Sequence, residues 1–253
     1  MQTEQKRAWL TGAQIKWIAM IVMVIDHMAA VFIEPILMNT VVSGMNYDYV
    51  RKITDIYMVL RGIGRFAFPA FCFLLVEGFY HTRNKAKYLR NLMIFAFISE
   101  IPFDLALYDK MWYWEHQNVF FTLAAGFLAI WIANYFILKS MTDLANAFIF
   151  KLAAVASVIG IALLTEAMHT DYGAVGVATI FVLYAMYNKP VMSAVAAWIV
   201  LGMTNVLELW SFPFIGAVYF YNGERGRQNK YFFYIFYPAH LLLLMIFKMI
   251  IFK

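Results

Sequence analysis

Residues 15–33 read IKWIAMIVMVIDHMAAVFI, and this stretch decides the fold class of the chain. As a helix it is long enough to cross the hydrocarbon core of a bilayer, which takes about 20 residues. Asp26 and His27 stand side by side within it. Ionisable side chains at membrane depth are costly and point to function. The stretch therefore predicts a membrane-spanning helix that carries part of an intramembrane site.

The composition extends this prediction to the whole chain. Of its 253 residues, 64% are apolar and 14% are charged, against about 25% charged in soluble domains. The apolar runs are continuous rather than alternating, which favours helices over a β-barrel. We therefore predict an all-α, polytopic helical membrane protein with a single domain over residues 1–253, embedded in the lipid bilayer.

The charged residues and the cysteine content exclude several other classes. The net charge of +5 is spread over short loops between apolar runs, which is typical of membrane proteins and predicts no nucleic-acid partner. Cys72 is the only cysteine, so no intrachain disulfide and no cysteine metal cluster is expected. His81, His116 and His169 are scattered over loops on opposite sides of the membrane and predict no metal site.

Nine membrane spans are predicted, within a range of eight to ten. They cover residues 14–33, 56–80, 89–107, 117–138, 147–164, 172–187, 191–207, 210–221 and 231–252. Residues 34–55 are predicted to form a loop. With the N-terminus in the cytoplasm, most basic residues, including Lys6, Arg7 and Lys16, fall on the cytoplasmic side, as the positive-inside rule requires. Two alternatives stay open: a hairpin of 191–207 and 210–221 that does not fully cross, and a cytoplasmic C-terminus.

This topology places polar residues from several spans at one level in the outer half of the membrane. They include Arg61, Arg65, Glu100, Asp104, Gln117 and Asn118. Burial in lipid requires charge pairing, so we expect the arginines to pair with Asp26, Glu100 or Asp104, a choice that the sequence leaves open.

Prolines predict irregular helices near these polar residues. The ring of Pro69 clashes with the carbonyl of Arg65, so a broken or kinked helix is expected at the arginines. Pro238 has the same effect on the carbonyl of Tyr234, just before His240.

Six motifs resemble those of the TraX family, named for a membrane protein that acetylates the N-terminus of conjugative pilin. They are Ile25-Asp26-His27, Gly64-Arg65-Phe66-Ala67-Phe68-Pro69, Ser99-Glu100-Ile101-Pro102-Phe103-Asp104, Gln117-Asn118-Val119-Phe120-Phe121-Thr122, Asp171-Tyr172-Gly173 and Tyr237-Pro238-Ala239-His240. The family is similar to the wider acyltransferase-3 group, which takes acyl groups from cytoplasmic coenzyme A thioesters. The resemblance implies a multi-pass protein of the cell inner (plasma) membrane that uses acetyl-CoA as acyl donor, with His27 in the place of the group's catalytic histidine.

The resemblance and the chemistry of the residues together assign candidate roles. His27 would be a general base, oriented by Asp26 or another acid. The candidate catalytic residues are His27, Asp26, Arg65, Glu100, Asp104 and Asn118. The candidate substrate-binding residues are Arg61, Gln117, Tyr237 and His240. The candidate residues for the phosphates of coenzyme A are Arg83, Lys85, Lys87, Arg90, Arg225 and Arg227.

Each role has a structural alternative. The acids and arginines can serve only to balance one another's charge, Asn118 can serve only as a helix cap, and His240 can be a hydrogen-bonded core residue. The cytoplasmic basic residues can be topology determinants that contact lipid headgroups.

The sequence thus predicts a membrane acyltransferase that acts on a peptide N-terminus or a glycan hydroxyl. Two other classes stay open: a small-molecule or proton-coupled transporter, and a non-enzymatic membrane immunity or assembly factor. Whether the protein forms a homo-oligomer is also open. A cavity that leads from the cytoplasmic basic residues to His27 would favour the enzyme.

Overall fold

The chain folds into a bundle of helices in a computed structural model that describes residues 8–42, 47–227 and 229–252. The helices are α1 (Gly12–Met28), α2 (Glu34–Val42), α3 (Tyr47–Gly64), α4 (Ala67–His81), α5 (Lys85–Tyr108), α6 (Val119–Thr142), α7 (Ala147–Ala167), α8 (Gly173–Ala185), α9 (Pro190–Gly202), α10 (Pro213–Tyr219) and α11 (Lys230–Ile251). A π-helical turn, Ala29–Ile33, joins α1 to α2, and a 3₁₀ helix, Val206–Ser211, precedes α10. The described residues form no strand, so the all-α prediction is confirmed.

Six helical segments among the described residues are long and apolar enough to cross a membrane. They are Gly12–Asn39, Tyr47–His81, Lys85–Tyr108, Val119–Thr142, Ala147–Ala167 and Tyr231–Ile251. The polytopic membrane architecture is therefore confirmed. The cytoplasmic position of the N-terminus stays a prediction, and Lys6 and Arg7 lie outside the described residues.

The other three predicted spans are also helical, but they are shorter. Helices α8 and α9 have 13 residues each, which rise about 20 Å, whereas the hydrocarbon core is about 30 Å thick. The segment Val206–Tyr219 changes from 3₁₀ to α-helix at Phe212. These lengths favour the hairpin alternative for residues 191–207 and 210–221.

The predicted loop over residues 34–55 is wrong, because the first span continues as a helix to Val42 and the next helix begins at Tyr47. The π-helical turn explains how the helix passes Pro35. There the backbone N–H of Glu34 bonds to the carbonyl of Ala29, five residues back. Such a widened turn accommodates a proline, which has no N–H to donate to the helix.

The predicted break at the arginines is confirmed, whereas Pro238 leaves its helix continuous. Helix α3 ends at Gly64 and α4 begins at Ala67, so Arg65 lies in the break between them. Pro238 lies inside α11 without interrupting it.

The packing order of the helices brings distant parts of the chain together. Helix α1 packs on α3 and α4, α11 packs on α5, and α8 contacts both α4 and α6. The buried aromatic side chains of Phe79, Phe127 and Phe214 lie in the core between these helices. The last helix thereby reaches the first, and the polar residues of both meet.

Candidate active site

Two histidines from opposite ends of the chain form a hydrogen-bonded pair. His27 near the end of α1 and His240 in α11 are joined by a bond of 2.7 Å between Nδ1 of His27 and Nε2 of His240. Their rings are nearly parallel, with centroids 5.0 Å apart. Nδ1 of His240 lies 2.9 Å from the carbonyl oxygen of Phe236, one turn earlier in α11.

This chain of bonds fixes the protons of both rings. A carbonyl oxygen only accepts hydrogen bonds. Nδ1 of His240 therefore carries a proton and donates a hydrogen bond to the carbonyl oxygen of Phe236. In the neutral ring, Nε2 of His240 is then the acceptor, and Nδ1 of His27 is the donor. Nε2 of His27 is consequently left with a lone pair, which is the form that a general base requires.

Asp26 belongs to a separate network of charges. One carboxylate oxygen accepts a hydrogen bond of 2.7 Å from Arg65, and the other accepts a bond of 2.5 Å from Arg61. Arg65 also bonds to Glu208 at 2.9 Å and to the hydroxyl of Tyr172 at 3.2 Å. Two guanidinium groups thus face two carboxylates in one cluster, which we call the arginine cluster.

The arginine cluster shows that the orienting partner of His27 is not the neighbouring acid. Adjacent residues of a helix point about 100° apart, so Asp26 faces α3 while His27 faces α11. The expectation of an orienting acid was wrong, and the partner is the imidazole of His240. His240 therefore has a defined place in the candidate site.

Two glycines allow the arginine cluster to form. A Cβ atom built on Gly64 would overlap with the side chain of Asp26, and one on Gly62 would lie 2.7 Å from the ring of Trp210. Both contacts are too close for any side chain. The glycines beside the two arginines are therefore required for α1 and the 3₁₀ helix to approach α3 so closely.

Glu100 and Asn118 are bonded to each other rather than to the arginines. The carboxylate of Glu100 accepts bonds from the backbone N–H and the side-chain amide of Asn118, at 3.1 and 2.5 Å. The same amide group donates to the carbonyl of Ala96, and its oxygen caps α6 at the N–H of Phe120. The contacts of Asn118 thus tie the start of α6 to α5.

Asp104 lies near the end of α5, and Gln117 lies at the end of the loop that leads from α5 to α6. Asp104 accepts a bond of 2.7 Å from the backbone N–H of Tyr113. Gln117 donates from its amide to the carbonyl of Trp114, at 3.1 Å. These two candidate residues make contacts that order the loop, and neither bonds to an arginine.

The turn before α8 closes the arginine cluster from a third side. Tyr172 adopts a left-handed backbone conformation with φ of 63° and stacks on Phe68, with ring centroids 3.6 Å apart. The hydroxyl of Thr122 donates to the carbonyl of Asp171. Burial raises the pKa of the Asp171 carboxyl to about 6, against the opposing attraction of the Arg65 guanidinium.

A cavity of about 720 Å³ extends along α1, and neither His27 nor His240 is part of its lining. Lys16 lines it in the first turns of α1, and Met23, one turn before His27, lines it further along. Phe236 and Tyr237 of α11 also line it. Both are in ring contact with a histidine of the pair: Tyr237 with His27 at 6.0 Å, and Phe236 with His240 at 5.2 Å.

Basic side chains line the other part of the cavity, which we call its mouth. Of the six candidates for phosphate binding, Arg83 and Arg225 line it. Backbone bonds between residues 9–13, at the start of α1, and residues 220–225 hold this loop in place; one example is the bond of 2.9 Å from the N–H of Ala13 to the carbonyl of Arg225. Lys16 also lines the mouth, although the sequence suggested only a topological role for it.

The four remaining basic candidates lie elsewhere. The ammonium group of Lys85 lies 4.6 Å from the ring centre of Phe79. Lys87, Arg90 and Arg227 are exposed and are not part of the cavity lining. The described residues contain no group of three or more His, Cys, Asp or Glu side chains that could hold a metal ion.

Two members of the arginine cluster, Glu208 and Tyr172, are not among the candidate site residues that the sequence suggested. Glu208 lies on a segment that reads as the end of an apolar span, and its charge at that depth was the available signal. Tyr172 carries no charge, so only its neighbour Asp171 marked that turn as polar.

Comparison with known proteins places this architecture in a family. The family model described as TraX protein matches residues 11–248. A probable fimbrial assembly protein FimC, serogroup H1, from Dichelobacter nodosus is 28% identical over 262 residues, which cover 93% of this chain and 95% of that protein. No solved structure matches the chain. Since the family model covers almost all of the chain, including both histidines and the arginine cluster, this membrane protein belongs to the TraX family.

Proposed function

We propose that this protein is an acyltransferase of the cell inner (plasma) membrane that moves an acyl group, acetyl in the simplest case, from coenzyme A to an acceptor amine. The observation that carries the proposal is the lone pair on Nε2 of His27, left by the bonds to His240 and Phe236 beside a cavity with a basic mouth. A general base that contacts the ring of Tyr237, a residue of the cavity lining, suits attack on a thioester.

The shape and charge of the cavity suit a coenzyme A thioester. Lys16, Arg83 and Arg225 at the mouth are suited to the phosphate groups. From Lys16 to His27, α1 rises roughly 16 Å at about 1.5 Å per residue, a depth comparable to the reach of an extended pantetheine arm. The apolar lining of Met20, Met23 and Leu75 suits the arm and the acyl group.

The proposed reaction is a direct transfer. The acceptor nitrogen attacks the thioester carbonyl carbon while Nε2 of His27 takes up its proton. The C–N bond forms, the C–S bond breaks, and the thiolate of coenzyme A leaves and receives the proton from His27. Cys72, a buried core residue of α4, does not line the cavity, so a cysteine acyl-enzyme has no support from the geometry.

A peptide N-terminus is the proposed acceptor. The Dichelobacter nodosus relative is named as a fimbrial assembly protein, and the TraX family resemblance points to pilin. A glycan hydroxyl would be attacked by the same chemistry and is the alternative acceptor. The name of the relative also favours a second candidate function, an assembly factor that binds fimbrial subunits without acylating them.

The experiment is acyl transfer by the purified protein in lipid nanodiscs, with radiolabelled acetyl-CoA and peptides that carry a pilin-type N-terminus. His27→Gln should lower the transfer rate by about 10²–10⁴, the usual contribution of a general base. His116→Gln is the matched control, because His116 is exposed on the loop before α6. Full activity of His27→Gln would refute the mechanism. If the wild-type protein binds the peptide but no acetyl-CoA, the assembly factor becomes the better account.

A further inference from the structure

We propose that the hydroxyl group of Tyr237 is a catalytic hydrogen-bond donor that stabilises the oxyanion formed when the acceptor attacks the thioester. This inference rests on the proposed acyl transfer and adds to it the group that receives the developing charge. The notable feature of Tyr237 is a buried hydroxyl with a free proton. Its side chain is 4% exposed, and its hydroxyl has no hydrogen-bond partner among the described residues.

A buried hydroxyl without a hydrogen-bond partner destabilises the folded protein, so packing alone does not explain why a tyrosine stands at position 237. A buried donor without a partner loses its bonds to water and gains nothing in return, and phenylalanine would fill the same space. Among the described residues, three other buried side chains have an unpartnered polar atom, namely Ser99, Asp104 and Glu208. None of the three lines the cavity, whereas Tyr237 does.

The ring of Tyr237 is held by edge-to-face contacts on two sides. It meets His27 with ring centroids 6.0 Å apart at 70°, and Phe120 with centroids 5.1 Å apart at 89°. His240, one turn further along α11, contacts the same ring at 5.5 Å. The proposed base therefore contacts the ring of the proposed donor, and the donor is the one of the two that lines the cavity.

The start of α6 supports the polarity of this hydroxyl. The backbone N–H of Val119 acts on the phenol oxygen, and the described residues offer no acceptor for the phenol proton. A donor directed at the oxygen of a hydroxyl strengthens the bond that the hydroxyl itself can give. Preorganised donors of this kind cost no reorganisation during the reaction.

The chemical step places the charges as follows. As the C–N bond forms, the carbonyl electron pair moves to oxygen, and the oxyanion accepts a hydrogen bond from Tyr237, which keeps its proton. His27 holds the proton of the acceptor. When the carbonyl re-forms, the C–S bond breaks, and the departing thiolate takes the proton from His27.

Tyr231 provides the matched control. It lies six residues earlier in α11, is 68% exposed and is not part of the cavity lining. Tyr237→Phe should lower kcat by about 10²–10³, the loss seen when one oxyanion donor is removed, with an unchanged KM for acetyl-CoA. Tyr231→Phe should leave kcat within a few-fold of the wild-type value.

A second readout does not depend on turnover. In the His27→Gln background, where bound thioester persists, the infrared carbonyl band of ¹³C-labelled acetyl-CoA should lie below its frequency in water, and Tyr237→Phe should reverse that shift. If Tyr237→Phe misfolds, fluorotyrosine at position 237 should lower the band further, because it is a stronger donor.

The outcomes separate the two proposals. Wild-type kcat in Tyr237→Phe, or a carbonyl band that does not respond to changes at position 237, would overturn the role of Tyr237 while acyl transfer by His27 stands. Absence of acyl transfer by the wild-type protein would overturn both.

Discussion

Asp26→Asn should destabilise the protein more than any other loss of a single carboxylate charge in the arginine cluster. The Asp26 side chain is 10% exposed and is, in the described part of the chain, the one side chain that bonds to both arginines, at 2.5 and 2.7 Å. After the substitution, Arg65 keeps Glu208 at 2.9 Å, whereas the charge of Arg61 loses this partner. Two positive groups then face one negative group at membrane depth. Removal of one partner from a buried ion pair costs about 3–5 kcal/mol.

Unfolding in mixed micelles with increasing SDS, followed by tryptophan fluorescence, measures this loss. A cost of about 3–5 kcal/mol corresponds to roughly 10²–10⁴ in the unfolding equilibrium constant. Asp55→Asn is the control, because Asp55 is exposed on α3, and it should change stability by less than about 0.5 kcal/mol. The double variant Asp26→Asn/Arg61→Gln should be less destabilised than the sum of the single variants, since the unpaired charge is gone. Strict additivity, or a cost for Asp26→Asn as small as that of the control, would refute the assignment of the ion pairs.

Two further substitutions test the surroundings of the arginine cluster. Gly64→Ala should cost about 1–3 kcal/mol because its Cβ would overlap with Asp26, whereas Gly160→Ala, with open space around it, should be neutral or stabilising in the same unfolding assay. Asp171→Asn should stabilise the protein at pH 7, because burial raises the pKa of this carboxyl to about 6 in the folded state. The folded state binds the proton more tightly than the unfolded state, so this group makes stability fall as pH rises from about 4 to 6. Unfolding free energies measured across that range should show a flatter pH dependence for Asp171→Asn than for the wild type, and parallel curves would contradict the shift.

The sequence predicted the helices well where apolar length decides them. The spans from Leu89 and Ala147 correspond closely to α5 and α7, because lipid leaves the backbone no alternative to internal hydrogen bonds. The prediction failed at residues 34–55, where a proline and polar residues suggested a loop. A π-helical turn lets the first helix continue past Pro35. The change from bonds four residues back to bonds five residues back does not alter the hydropathy of the sequence, so hydropathy cannot predict it.

The members of the site could be predicted better than their partners. Asp26, Arg61 and Arg65 were marked because charge at membrane depth must be paired, and they are in one cluster. Arg65 also forms an ion pair with Glu208 and not with Glu100, because the 3₁₀ helix packs against α3. Contacts across 143 positions of chain have no local signature. The hydrophobic periodicity of a sequence describes one helix at a time and cannot predict which side chains of different helices form ion pairs.

The pairing of His27 with His240, rather than with Asp26, has a consequence for the proposed chemistry. A carboxylate bonded to His27 would stabilise the protonated imidazolium and hold the proton that the departing thiolate needs. His240 is bonded to a neutral carbonyl at 2.9 Å, so it orients His27 without adding a negative charge. Meanwhile both oxygens of Asp26 are held by arginines on another face of α1. The one helix therefore keeps the proposed base and the anchoring acid apart, and in the proposed reaction His27 both accepts and returns a proton in a single turnover.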